Sequence, residues 1–265
     1  MKDMVPDGAG LSFAQFEQKA RQGAMARRSL QQLRLQPANM NTGLTGLAVP
    51  RLPAVRPARS AGGSGYWKAG KRGLDLLLVA VSLPLTLPLI ALCAAALWLE
   101  GGRPFYTQPR LGRGGKVFRI LKLRTMVRDA DALLQHYLAT DPAMRWEWQQ
   151  TQKLKNDPRI TRVGRVLRMT SLDELPQLWN VIKGDMSLIG PRPMMPEQLP
   201  LYGDTRAYFA LRPGITGIWQ VSVRNEGSFD SRVQADFEYW EDVSLSRDLR
   251  LLWRTVGAVM KGTGY

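Results

Sequence analysis

From Leu76 to Leu99 the chain runs 24 positions without a charged residue, and two prolines, Pro84 and Pro88, sit inside that run. At about 1.5 Å of rise per helical residue it is long enough to cross the hydrocarbon core of a bilayer, so the segment belongs in a membrane. The prolines argue against a plain span, because each removes a backbone donor and bends the helix. The flanks argue the same way: Arg59, Lys68, Lys71 and Arg72 precede the run and Arg103, Arg110, Arg113 and Lys116 follow it, and basic flanks stay on the cytoplasmic side. A helix that enters, breaks at the prolines and returns satisfies both constraints; a Pro-kinked single span is the alternative the residues leave open. Tyr66 and Trp67 before the run, with Trp98, Phe105 and Tyr106 after it, suit anchoring at one shared interface. Asp75, at the mouth of the run, is expected to pair with Arg72 three residues earlier.

A net charge of +15 with a pI near 10.4 demands a polyanionic partner. Placement narrows the choice. Residues 1–72 hold twelve Lys/Arg against Asp3, Asp7 and Glu17, which gathers most of the excess just before the apolar run and favours an anionic lipid surface. Nucleic acid is not an expected partner, because zinc-ligand spacing, a helix-turn-helix pattern and an RNA-binding aromatic signature are all missing. Cys93 is the only cysteine and His136 the only histidine, which excludes an intrachain disulfide, a thiol zinc site and a His-pair metal site, and speaks against Ser-His-Asp catalysis. Chemistry then falls to carboxylates, Lys, Arg and a metal, in a reducing compartment. The first thirty residues lack the apolar core of a secretory signal, so the N-terminus is expected to stay inside the cell.

Three regions follow. Residues 1–65 read as a basic flexible arm and linker, with a loosely held helix over Leu11–Gln36 before a Pro-, Gly-, Ala- and Arg-rich stretch. Residues 66–100 form the membrane segment and 101–265 a cytoplasmic globular domain. In that domain Val117–Leu123 predicts a strand, Asp129–Gln150 a helix interrupted near Pro142, Leu175–Ile182 a helix stopped by Gly184, and Met186–Ile189 a short strand. Trp146 and Trp148 are candidates for lipid contact. Near the end Leu249, Leu252, Trp253, Val256 and Val259 line one side of a helix that carries Arg247, Arg250, Arg254 and Lys261; such a stripe either lies on the bilayer or packs on the core.

The stretch from Arg168 to Pro176, which carries Ser171, Asp173 and Glu174, holds the chemistry. Its plain reading is a capping box, Ser171 capping a helix and Glu174 reaching back. The other reading is a phosphate site, since a helix N-terminus offers free N–H groups and Arg162, Arg165 and Arg168 approach at every third position. Adjacent helical carboxylates point about 100° apart, so Asp173 and Glu174 can divide their work, one attacking phosphorus and one holding Mg²⁺.

From Lys71 to Tyr265 the sequence resembles the monotopic phosphoglycosyl transferases, the bacterial sugar transferases that start exopolysaccharide and O-antigen repeat units. The resemblance is carried by Lys71-Arg72 with Asp75, by Pro88, by the blocks Lys122–Met126, Asn156–Thr161, Ser171–Leu178, Lys183–Pro193 and Arg212–Gly217, and by Trp219-Gln220, all in order. It implies an α+β monotopic membrane protein with an N-terminal re-entrant, Pro-broken membrane helix and a small, mostly helical cytoplasmic catalytic domain, at the bacterial inner membrane with the active site facing the cytoplasm. It implies transfer of a sugar-1-phosphate from a UDP-sugar to undecaprenyl phosphate with release of UMP, and Mg²⁺ as cofactor. Residue by residue, Asp173 resembles the nucleophile that forms a phosphosugar-aspartyl enzyme, Glu174 the Mg²⁺ ligand, Arg168 a phosphate-binding arginine and Lys122 the active-site lysine. Arg124 is a weaker substrate contact, Arg192 between Pro191 and Pro193 resembles the residue facing the nucleotide, and Asp248 matches an acidic position near the active site or else a helix-surface carboxylate. Pro88, with Pro84, matches the kink.

Two departures stand out. Leu87 replaces the serine that often precedes the breaking proline, so Thr86 or Ser82 has to supply any hydroxyl that bonds the freed carbonyls; Val223 replaces a small glycine in Ser222–Asn225. The stretches Leu134–Pro142, Lys153–Arg159 and Gly262–Tyr265 most resemble the transferases that initiate exopolysaccharide with galactose-1-phosphate, glucose-1-phosphate being the runner-up. A homo-oligomer is left open. The rivals are a non-catalytic membrane-anchored binding protein and a lipid-phosphate hydrolase.

Overall fold

The computed structural model describes residues 66–151, 154–222 and 229–260. The basic arm and linker over 1–65, Val223 and the closing Gly262–Tyr265 lie outside the described residues. A five-residue π turn, Tyr66–Gly70, leads into α1, Lys71–Gly101, whose helical conformation persists through Pro84 and Pro88. The hydroxyls expected to repair the prolines are engaged elsewhere. Ser82 Oγ donates to Val79 O (2.8 Å) and Thr86 Oγ1 to Ser82 O (3.0 Å), whereas the carbonyls that lose an i→i−4 donor to Pro84 and Pro88 are those of Ala80 and Pro84.

Among the described residues α1 is the one helix long and apolar enough to cross a membrane. Its inward side is a single stripe at helical spacing, Asp75, Val79, Cys93 and Leu97. Val79 packs with Phe118, Ile120, Val181 and Met186, and Cys93 and Leu97 pack with Leu123 and Leu167. The other side carries Val81, Leu85, Leu87 and Leu92, all exposed.

The rest is mixed helix and strand. β1, Phe105–Leu111, pairs antiparallel with β2, Val117–Leu123, so that Tyr106 faces Lys122 and Arg110 faces Phe118. α2, Ala130–Thr140, and α3, Pro142–Thr151, split where the Asp-Pro step predicts, Asp141 Oδ1 accepting from the amides of Ala143 and Met144. α4, Arg162–Met169, starts on a Thr161 cap (Gly164 N to Thr161 Oγ1, 2.9 Å). A 3₁₀ helix, Leu172–Gln177, passes directly into α5, Leu178–Lys183, which ends on left-handed Gly184. The predicted helix thus begins as the tighter form, because Pro176 has no N–H to give Leu172 and its ring crowds that carbonyl. β3, Ser187–Ile189, pairs parallel with β4, Gly214–Thr216; α6, Arg206–Ala210, lies between them in sequence, and α7, Ile218–Ser222, α8, Phe229–Glu241, and α9, Leu245–Met260, follow.

Lys71, Arg72 and Asp75 anchor the start of α1, though not through a local pair. Arg72 donates to the last carbonyls of α5, Val181 O (2.6 Å) and Ile182 O (2.9 Å), and Asp75 Oδ1 accepts from Leu188 N (3.1 Å). Lys71 Nζ reaches Asp248 Oδ2 at 2.8 Å. The far end of α1 is tied by Arg124, which donates to Gly101 O (2.6 Å) and Leu97 O (3.3 Å). The α9 stripe is divided: Leu252 packs against the cluster of Tyr239, Val243 and Leu251, a residue outside the stripe, while Leu249, Trp253 and Val256 stay exposed.

Candidate active site

The site is built where the end of β2, α4 and the 3₁₀ helix converge. β2 brings Lys122, whose Nζ lies 2.6 Å from Glu174 Oε1. Arg168, in the last turn of α4, donates from Nε to Thr125 Oγ1 at 2.8 Å. That contact needs α4 close to the strand end, and Gly164 allows it: a Cβ there would stand 2.2 Å from Thr125 O. The Asn156–Thr161 block supports the same segment, with a buried Asp157–Arg159 pair (2.6 and 2.8 Å) and a bond from Val127 N to Arg159 O (2.8 Å).

The capping box does not form. Ser171 is left-handed (φ 57°) and its side chain makes no cap bond, and Glu174 turns to Lys122 instead of back to residue 171. Asp173 and Glu174 follow one another on a 3₁₀ turn, so they diverge by about 120° instead of 100°. Asp173 is 8% exposed, whereas the Glu174 side chain keeps 25% of its surface. Burial, reinforced by the Glu174 charge, pushes the Asp173 carboxyl above its ordinary range against the pull of Lys122 and Arg168. Burial also works against the Glu174 charge, but Lys122, Arg192 and Arg110 together outweigh it and hold that carboxyl low. Two adjacent carboxyls with opposite shifts are suited to separate roles.

Arg192 stands on a rigid loop. Pro191 O accepts from Gly214 N (2.8 Å), Pro193 O from Arg110 Nη1 (3.2 Å), and Gly190 N donates to Thr216 O (2.9 Å). Its guanidinium carbon lies 5.5 Å from the Trp219 ring centre, and Arg232 stacks on the same indole at 4.6 Å. Arg110, which the sequence presented only as a flanking charge, is a site residue that motif reading missed: burial and then the Arg192 charge push its guanidinium down to about 10, and its charge helps hold Glu174 low. Its alternation with Gln108 on a strand facing Lys122 was the available signal.

The other candidates fall elsewhere. Arg162 and Arg165 are exposed, so of the three arginines only Arg168 turns inward. Arg124 binds the end of α1. Asp248 is not a helix-surface carboxylate: it is fully buried, with Oδ2 accepting from Tyr66 (2.5 Å) and Lys71 and Oδ1 from Tyr239 (2.7 Å), and none of these partners belongs to the Asp173 cluster. Pro84 and Pro88 lie in α1.

The family model described as bacterial sugar transferase matches residues 66–262. The chain is 47% identical over 195 residues to a UDP-galactose-lipid carrier transferase of Erwinia amylovora, covering 73% of this chain and 41% of the relative. It is 45% identical over 197 residues to the exopolysaccharide production protein ExoY of Rhizobium meliloti, covering 73% and 87%. It is 44% identical over 195 residues to an undecaprenyl-phosphate galactose phosphotransferase of Salmonella typhimurium, covering 73% and 41%. The chain thus spans about two fifths of the Erwinia and Salmonella proteins.

Proposed function

Because the chain belongs to the bacterial sugar transferase family, we propose that it moves a sugar-1-phosphate from a UDP-sugar to undecaprenyl phosphate at the cytoplasmic face of the bacterial inner membrane, through a covalent intermediate on Asp173. The observation that carries this reading is the buried Asp173 beside Glu174, with Lys122 at 2.6 Å from the latter and Arg168 turned toward the pair. An Asp173 oxygen attacks the sugar-bearing phosphorus of the donor, the bond between the two phosphates breaks, and UMP leaves with the electron pair. The acceptor's phosphate oxygen then attacks the same phosphorus, and the bond to Asp173 breaks to restore the carboxylate. Arg168 and Lys122 stabilise charge on the transferring phosphoryl group. Arg192, fixed between Pro191 and Pro193, together with Arg110 receives the donor's diphosphate, where the planar guanidinium fork matches phosphate oxygens.

Mg²⁺ fits this donor set. Among the described residues no group of three or more acidic, His or Cys side chains converges, and Mg²⁺ usually takes one or two carboxylates and completes its shell with substrate phosphates and water. Glu174, held anionic and partly exposed, is the residue to hold it. Bound there, the ion would supply positive charge beside the donor's phosphates as UMP leaves. Galactose is the sugar proposed, because the Erwinia and Salmonella relatives are named for galactose transfer. Incubating the protein with UDP-galactose, UDP-glucose or UDP-N-acetylglucosamine, without acceptor, is expected to give an intact-mass increase of one galactose phosphate with UDP-galactose alone. Release of inorganic phosphate in place of UMP would instead mark a hydrolase.

The membrane reading completes the proposal: α1 enters and leaves by the same leaflet. Its inward stripe touches one domain from Asp75 to Leu97, which is hard to reconcile with a helix that carries its far end to the opposite side. The flanks also meet, since the Arg113 guanidinium lies 5.8 Å from the Trp67 ring centre. In a Cys93→Ala background, single cysteines placed at Ala69 and Arg113 are expected to react only with reagent supplied to the cytoplasmic side. Labelling from opposite sides would show a span.

A further inference from the structure

We propose that the cleft at the C-terminal end of α1, lined by Arg103, Phe105, Tyr106, Arg124 and Arg128, holds the phosphate monoester head of the polyprenyl phosphate acceptor, an inference that deepens the proposed function and rests on it. The cleft encloses about 330 Å³. Three guanidiniums line it, and two of them crowd one point: a Cβ built on Gly102 would stand 2.2 Å from Arg124 Nη1 and 2.8 Å from Arg128 Nη2. A glycine with φ 101° leaves that space open.

Among the described residues none of the three arginines forms an ion pair. Arg124 spends Nη2 on Gly101 O and Leu97 O, and its Nε is buried without a partner. Of the acids in the neighbouring segments, Asp131 acts on the Tyr106 phenol and Glu100 accepts from Val163 N (3.3 Å). Like charges gathered without a counter-ion repel one another, and a doubly charged phosphate turns that cost into charge-assisted hydrogen bonds. The apolar side matches an amphiphile: Trp98 and Leu99 of α1 and Phe105 and Tyr106 of β1 are exposed around the same corner, where a hydrocarbon chain would run on into lipid.

Reach favours the acceptor over a bystander lipid. Tyr106 is the direct cross-strand partner of Lys122, and Arg124 follows Lys122 by two residues, about 6–7 Å along an extended chain. Arg110 stands at the other end of β1, four residues from Tyr106, with Arg192 acting on it. Lys122 and the carboxylates therefore lie between two basic places, Arg110 with Arg192 on the donor side and the cleft on the other. A two-step transfer through Asp173 allows the two phosphates separate basic places, because UMP leaves before the acceptor attacks.

The test uses the full chain in detergent micelles and the double variant Arg103→Gln/Arg128→Gln, with a short-chain polyprenyl phosphate as acceptor. The acceptor KM is expected to rise at least tenfold, while phosphosugar-enzyme formation from donor alone keeps its wild-type rate. The pair Arg103→Lys/Arg128→Lys is expected to recover part of the KM loss, which a folding defect would not allow. An unchanged KM, or equal slowing of both half-reactions, would overturn the assignment. So would competition by the phosphodiester phosphatidylglycerol as strong as that of a second polyprenyl phosphate, which would make the cleft a general lipid contact. If the wild type forms no adduct, the proposed function falls, and equilibrium binding of the short-chain phosphate to wild type against variant still decides the cleft.

Discussion

Asp173→Asn is expected to abolish both the phosphosugar adduct and UMP release, by a factor on the order of 10⁴ or more, the scale seen when a covalent nucleophile is removed. The amide has the shape of the carboxylate and none of its nucleophilicity. Loss of fold is not the expected cause. Burial disfavours the ionised form of Asp173, so a neutral isostere removes a charge that the folded state strains to hold, and thermal unfolding should stay at or above the wild-type midpoint. Glu174→Gln should behave in the opposite way. That carboxylate is held anionic by Lys122, Arg192 and Arg110, so its neutral analogue leaves three cations facing one another and should unfold at lower temperature as well as lose turnover. Intact mass after donor alone, UMP release and a melting curve on each variant separate the two residues. Retention of an adduct in Asp173→Asn would defeat the nucleophile assignment, and equal stability of the two variants would defeat the division of charge between them.

The contrast between the neighbours was only half visible in the sequence. The motif placed two carboxylates side by side, and the resemblance assigned them different roles. What separated them physically was the 3₁₀ turn that Pro176 imposes, together with Lys122 from β2 and two arginines from distant segments. Lys122 and Glu174 are 52 positions apart, and no local pattern records such a meeting. Local signals served well where structure is local. β2 came out at its observed bounds because its apolar alternation is bracketed by glycines and loop residues, and Gly184 stopped α5 because a left-handed residue is needed there. They failed at Ser171, where the Ser–Glu spacing of a capping box is present and the backbone turns the other way. They failed again at Arg110, since a strand arginine that points into a site carries the same letter as one that flanks a membrane.

α1 shows the same limit from another side. Its length, its apolar character and its two prolines were legible in one dimension, but the residues that fix it were not. Arg72 and Asp75 read as a local pair and instead reach α5 and β3, more than a hundred positions away. Such anchors bind a membrane segment to the domain beside it, so that Lys122 and Asp173 sit at a constant distance from the lipid boundary. In the proposed transfer, the attack of the lipid phosphate on the Asp173 adduct depends on that distance being held.

The strongest of these anchors yields the last expected result: Asp248→Leu should destabilise the protein by about 3–5 kcal/mol, the cost of leaving one partner of a buried pair uncompensated. Asp248 is fully buried on α9, and Lys71 keeps only 12% of its side-chain surface. Removing the carboxylate strands the Lys71 ammonium and leaves the Tyr66 and Tyr239 hydroxyls, now at 2.5 and 2.7 Å from it, without their acceptor. A Lys71→Met/Asp248→Leu pair should recover a large part of the loss, because replacing both members of a buried ion pair by apolar side chains is often close to neutral. Denaturant unfolding in micelles measures both. A loss below about 1 kcal/mol for Asp248→Leu, the range of an exposed pair, would show that this carboxylate does not hold α1 to α9. Because Tyr66 and Lys71 stand at the head of α1 and Asp248 in the first turn of α9, the single variant should also loosen the membrane helix before the Asp173 cluster. The first half-reaction should then survive at temperatures where acceptor transfer has begun to fail.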